Sequence, residues 1–328
     1  MNHFPAISST LSPVALAQRL IELYGFSENT TCNVLRLGIN HTYLITDAQE
    51  KYVLRVYHLH WRTEEEIMAE LELLNLLKAN DILVSYPIRD KKSAYIQRFN
   101  AWEGERLAVV FSYAQGQTVR NPSDKTCFQL GLEMAKMHRV TTGKKLNRKT
   151  YNAQTLAGWA FQALKERFPM SLKEMQYIDR ANSMIASQFA QADLNQIRTG
   201  AVHLDVWYDN MKIKDESEIT IFDFDNCGNG WLLLDIAYSL MLLFKNEPNK
   251  EIFNQKMNRF YQGYQSISGI SQEEKRMIPY GGLAIWLHYS GIHAQRFDDF
   301  SNIFLSEDFL KYWIDTVNHW MVFNGIEI

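Results

Sequence analysis

The stretch AVHLDVWYDNMKIKDESEITIFDFDNCGNG, residues Ala201–Gly230, joins a loop dense in Asp and Asn to a short apolar strand that stops in Asp223-Phe224-Asp225. Its polar residues keep a definite spacing: His203-x-Asp205-x-x-x-x-Asn210, then thirteen positions to Asp223. That interval suits a hairpin of MKI and ITIFD around the turn KDESE, which would fold Asn210 and Asp223 back onto one place. An amide oxygen and a carboxylate are hard donors of the kind Mg²⁺ takes. Asp205 can orient a hydroxyl and relieve it of its proton, and His203 reads as a hydrogen-bonding brace for the loop.

The whole chain frames that stretch. Its 328 residues suffice for one large or two modest cores, and 46% hydrophobic with 22% charged residues is ordinary globular composition. A net charge of −3 argues against a protein that coats nucleic acid but leaves room for a nucleotide. Cys32, Cys127 and Cys227 are far apart and make no CxxC, so neither a disulfide framework nor a zinc site is expected, and a reducing, cytoplasmic setting fits. The N-terminus shows no basic leader followed by an apolar core, and the greasiest run, Trp231 to Phe244, is interrupted by Asp235. We therefore expect no membrane association and a buried helix there.

Upstream, a helix over about Ser12 to Leu23 precedes three short strands, NVLRLG, HTYLITD and KYVLRVY, whose short connections predict an antiparallel meander. TEEEIMAELELLNLLKAN begins with a capping box, Thr63 and Glu66. Glu70 shares the apolar face of Ile67, Leu71, Leu74 and Leu77, and a carboxylate aimed at a core needs a partner. SAYIQRF and RLAVVFSY complete five strands, after which the pattern turns helical. The basic stretch from Gly143 to Tyr151 reads as a solvated turn. The expectation is an α+β protein of two parts, residues 1–113 with the sheet and one main helix, and residues 114–328, mostly helical.

The order H-x-D-x-x-x-x-N, strand, D-F-D resembles the phosphoryl-transfer loops of kinases. Over nearly its whole length the chain resembles the aminoglycoside phosphotransferase and choline kinase family, the small-molecule branch of the bilobal protein-kinase-like fold. The resemblance implies ATP and Mg²⁺ as cofactors and an acceptor bearing a hydroxyl. Asp205 would be the catalytic carboxylate and Asn210 and Asp223 the metal ligands, with His203 and Asp235 supporting, Asp235 by anchoring the loop's backbone. Val53 and Arg55 fall on the family's third strand, Arg55 where its phosphate-contacting lysine stands, and Glu70 matches the helix glutamate that pairs with that base. VVFSYAQG resembles the hinge, implying that adenine bonds to the backbone of Ser112 and Ala114, and His138 in LEMAKMHRV would be structural.

The family's C-terminal helices shape the acceptor pocket, which makes Asp298 and Asp299 candidates there; Asp209, beside Asn210, could meet a cationic acceptor or simply be solvated, and Asp225 is a further candidate. Asp225 reads first as a structural hydrogen-bond acceptor, with a second metal contact as the alternative. This sequence departs from the pattern at Arg55, at Leu204 and VWYD, at Lys212 in place of an apolar adenine floor, and in lacking GxGxxG, so that Gly38 to His41 would cover the phosphates. HWRTEEEIMAE, HYSGIHAQRFDDF and DFLKYW are similar to segments of the stress-response protein kinases of the same family. The leading expectation is phosphotransfer to a small molecule. A protein kinase of the stress-response type and a nucleotide-binding regulator without turnover stand as alternatives.

Overall fold

The computed structural model describes residues 4–299 and 304–328; Phe300, the last residue of HYSGIHAQRFDDF, lies outside them. The chain divides into two compact units, Met1–Ala114 and Gln115–Ile328.

In the first unit, α1 (Pro13–Tyr24) is started by the Ser12 side chain and ended by Gly25 in the left-handed conformation. The strands β1 (Thr31–Leu37), β2 (His41–Asp47), β3 (Glu50–Val56), β4 (Ile96–Asn100) and β5 (Glu105–Ser112) form one antiparallel sheet in the order β1-β2-β3-β5-β4. The meander expected of the first three strands is present, and the last two enter in reverse order. Between them α2 (Glu64–Ala79) starts with the reciprocal Thr63–Glu66 capping box. The α1 side of the sheet holds an apolar core of Leu16, Leu20, Tyr43, Ile45, Leu54, Val56, Ala108 and Val110. Strand side chains alternate between faces, so Arg55, lying between Leu54 and Val56, projects away from that core. There it meets Glu70 of α2, and both side chains are buried.

The second unit is mostly helical. It contains α3 (Asp124–Thr141), a π-helical turn Gln154–Gly158 leading into α4 (Trp159–Lys165), α5 (Lys173–Ala190), α6 (Leu233–Asn246), α7 (Lys250–Gln265), α8 (Gln272–Gln295) and α9 (Glu307–Phe323). Two small antiparallel pairs interrupt the helices. β6 (Thr199–Val202) pairs with β9 (Gly228–Trp231), and β7 (Met211–Lys214) pairs with β8 (Glu218–Ile221). α6 is the expected buried helix, with Asp235 in its first turn.

Helices α3 and α7 pack so closely that two glycines carry the contact. A Cβ on Gly131 would overlap the Phe260 carbonyl oxygen, and one on Gly263 would overlap that of Phe128. Neither obstacle is the end of a flexible side chain, so the helices would have to separate and lose buried contact along their length. Gly263→Ala should therefore lower the unfolding free energy by about 3 kcal/mol. Chemical denaturation checks this, and a loss below about 0.5 kcal/mol would show that the helices can part cheaply.

Candidate active site

The β7–β8 hairpin does what the thirteen-residue spacing predicts. Met211 pairs with Ile221, and one step further the Phe222 N–H donates to the Asn210 carbonyl (3.0 Å), so Asn210 lies beside the residue that precedes Asp223. On the loop side, both Asn210 Nδ2 hydrogens go to Asp205, one to its carboxylate Oδ2 (2.8 Å) and one to its carbonyl (3.1 Å). The amide is buried, and with its nitrogen committed, Oδ1 is the atom left to face a cation. Asp205 is half-buried.

His203 links loop and hairpin as a brace. Its Nδ1 accepts from the Asp205 N–H (3.1 Å), which leaves the proton on Nε2 to be donated to the Phe222 carbonyl (3.1 Å). Its ring packs on Phe224 at 4.2 Å. Complete burial lowers the His203 pKa below its ordinary 6.5, the opposing charges of Asp235 and Asp223 notwithstanding. The imidazole is thus a neutral brace.

Asp235 carries the loop's backbone. Its two oxygens accept from the N–H groups of His203 (2.9 Å) and Leu204 (2.6 Å), and His138 Nε2 lies 3.1 Å from Oδ2. Burial alone would raise its pKa, but the hydrogen bond and charge of His138, together with His203, outweigh burial and hold the carboxyl below the usual range. His138 is fully buried, with Nδ1 2.7 Å from the Tyr264 hydroxyl, a structural position. The anchored backbone is strained at two points: Leu204, just before Asp205, has φ +68°, and Asp223 has φ +65°. Non-glycine residues in this region cost on the order of 1–3 kcal/mol and persist only where their surroundings enforce them.

The segment after Asp223 is enforced from an unexpected quarter. The basic stretch Gly143–Tyr151 is solvated along much of its length, as the sequence suggests, but it is also an anchor, which the sequence does not show. Arg148 donates from Nη2 to the Asp225 carbonyl and from Nε to the Cys227 carbonyl, the latter at 3.1 Å. The Asn229 side chain accepts from Leu146 N (2.7 Å) and donates to the carbonyls of Leu146 (3.0 Å) and Arg148 (2.9 Å). Gly143, Lys144, Lys145, Asn147, Lys149 and Thr150 are exposed as a solvated turn implies, while Leu146, Arg148 and Tyr151 are drawn inward. Asp225 itself is buried.

Of the remaining candidates, Asp298 and Asp299 are paired with arginines elsewhere and Asp209 adjoins Asn210. Asp298 pairs with Arg167 at 3.5 Å and is exposed, and Asp299 pairs with Arg296. Asp209 is half-buried in the turn Tyr208–Asn210. Lys212 donates to the Thr118 hydroxyl (2.7 Å), while Met211 and Ile213 are buried on the other face of β7.

In the first unit, Arg55 Nη1 donates to Glu70 Oε1 (2.7 Å), Tyr57 donates to Glu70 Oε2 (3.2 Å), and the guanidinium lies 4.8 Å from the Phe111 ring. The partner that Glu70 required is Arg55. Val53 is half-buried and pairs with Phe111. The Ser112 N–H donates to the Tyr86 carbonyl (2.9 Å) and the Ser112 carbonyl accepts from Ser85 (2.6 Å), so an adenine would have to share that carbonyl; Ala114 is buried. The Gly38 N–H is spent on the Asn40 carbonyl (3.2 Å), which takes one donor from the proposed phosphate cover.

Among the described residues no cluster of three His, Cys, Asp or Glu side chains could hold a metal on protein ligands alone. Asn210 Oδ1 with Asp223 fits a cation that takes one or two protein oxygens and fills its shell with phosphates and water, the habit of Mg²⁺. All three cysteines are buried and none is in a disulfide, and no helix among the described residues is long and apolar enough to cross a membrane.

A five-stranded antiparallel sheet with one main helix, followed by a helical unit with this loop and hairpin, is a protein-kinase-like fold. The model of the phosphotransferase enzyme family matches residues 33–270, and the chain belongs to that family. Among relatives, it is 26% identical to the amicoumacin kinase of Bacillus subtilis (strain 168), over 78% of this chain and 77% of that one. Solved structures with the same fold include amicoumacin kinase hAmiN in complex with AMP-PNP, Ca²⁺ and Ami, at 20% identity and TM-score 0.76, covering 94% of this chain and 93% of that one. A microcompartment-associated aminopropanol kinase, at 19% identity, gives TM-score 0.74 over 94% and 95%.

The neutral His203 makes a pH prediction. The unfolded state takes up a proton near pH 6.5 that the folded state refuses, so His203 leaves stability unchanged above that pH and lowers it as pH falls below it. The thermal midpoint should therefore decline from pH 7 to pH 5, and less steeply in His203→Gln. Equal slopes in the two proteins would assign the acid sensitivity elsewhere.

Proposed function

We propose that the protein transfers the γ-phosphate of ATP, with Mg²⁺, to a hydroxyl of a small molecule. The observation that carries this is the Asn210 amide bound to the Asp205 carboxylate, with the hairpin returning Asp223 beside it. Asp205 orients the acceptor hydroxyl and takes its proton. Asn210 Oδ1 and Asp223 would hold Mg²⁺, which when bound neutralises charge on the phosphates. The buried Arg55, fixed by Glu70, grips phosphate oxygens, and its planar fork allows two parallel hydrogen bonds where a lysine would give one point charge. Little covalent work falls to the protein, so the rate comes from positioning and charge stabilisation. Family membership and a small-molecule kinase among the relatives favour a small acceptor over a protein one. Three cysteines outside any disulfide suit the reducing cytoplasm.

A panel of amino alcohols, homoserine, choline, sugars and aminoglycosides, with ADP release as the readout, tests the reaction and identifies the acceptor. Asp205→Ala should lower turnover by at least about a thousandfold while Mg·ATP still raises the thermal midpoint, and Asp223→Ala should weaken that midpoint shift. Full turnover in Asp205→Ala would overturn the assignment. Label transferred from ATP only to protein would favour a protein kinase, and binding without transfer a regulator.

A further inference from the structure

Helix α8 brings one hydroxyl to both strained turns of the second unit. Tyr289 accepts a hydrogen bond from Asn226 Nδ2 (3.2 Å), and its one proton is shared between the Leu204 carbonyl oxygen at 3.4 Å and the Asp205 carboxylate. Leu204 is the left-handed residue immediately before Asp205, and Asn226 lies three residues after left-handed Asp223. The Leu204 N–H is already fixed by Asp235, so Tyr289 meets the other side of the same residue. The Asn226 carbonyl is held in turn by the buried Tyr151 hydroxyl (2.7 Å).

The aim of this ring is set by its neighbours. It stacks on Tyr238 with centroids 5.3 Å apart and planes at 27°. The preceding residue on α8, His288, accepts from Trp159 Nε1 (3.1 Å) and takes the Tyr151 ring edge-on at 5.6 Å. Burial first, then the negative charge of Asp205, push the Tyr289 and Tyr238 phenols well above their ordinary range. Both rings therefore keep their protons, and Tyr289 is a neutral donor beside Asp205.

We propose that Tyr289 is a positioning residue whose hydroxyl ties the turn presenting Asp205 to the turn presenting Asp223 and so fixes the distance between them. The tie is a matter of geometry; its kinetic consequence rests on the phosphotransfer reading above. Each left-handed residue is a conformation the chain would leave if released. A single side chain bound to both turns opposes both relaxations at once. Misplacement by about 1 Å can lower a phosphoryl-transfer rate by a factor of the order of a hundred.

Tyr289→Phe tests this, because the stacked ring stays and only the hydroxyl leaves. Amide hydrogen exchange should quicken in peptides covering 203–211 and 222–229, while the rest of the second unit and the thermal midpoint stay as in the parent. With Mg·ATP and the panel hydroxyl giving the fastest ADP release, kcat should fall about ten- to a hundredfold while KM for ATP changes less than about twofold. Asn226→Ala, which cuts the same tie from its other end, should behave alike, and the double variant should lose little more than either single one. Unchanged exchange in both peptides, or quickening spread through the whole unit, would overturn the proposal, as would additive losses in the double variant. If the parent and Asp205→Ala release ADP equally, the phosphotransfer reading fails, and the exchange measurement still decides the tie.

Discussion

The second unit depends on one buried carboxylate. Asp235, at the start of α6, accepts two successive backbone N–H groups, and those bonds are what allow Leu204, a leucine with φ +68°, to stand directly before Asp205. Without them a buried loop would carry two unsatisfied donors and would relax out of the left-handed region. His138, on α3, keeps this carboxylate charged where burial alone would favour its protonation. One anion thus joins α3, α6 and the loop.

The polar network around it shares work between side chain and backbone. His203 spans from the Asp205 N–H to the Phe222 carbonyl, Asn210 grips Asp205 twice, and Arg148 collects the carbonyls beyond Asp223. Few of these bonds are of the exposed kind that adds little to stability. They restrict where two carboxylates can stand, which is what a phosphotransferase requires of its protein.

The parts of this arrangement that were legible in the sequence are those set by short spacing. The hairpin follows from thirteen residues between Asn210 and Asp223, and Glu70 was marked by its place on an apolar helix face. The role of Asp235 came only through family resemblance, since nothing near it in sequence calls for a carboxylate. The contacts of Arg148, Asn229 and Tyr289 were not legible because their partners lie 63 to 85 residues away, and no periodicity encodes such a meeting. For the same reason the basic stretch looked like surface alone, and Asp298 and Asp299 looked available although each has an arginine. Gly131 and Gly263 sit in helices where composition alone would mark them as weak points, whereas the packing makes them necessary.

Strand β3 has a property that reaches beyond the pair it presents. At its C-terminal end it buries Leu54 and Val56 on one face and Arg55 on the other, so there neither side of the ribbon is open to water. A slip of one residue would drive a guanidinium into hydrocarbon and leave Glu70 facing a methyl group. The strand therefore proofreads its own alignment during folding, and an insertion or deletion within it would be lethal to the fold long before any substrate is met.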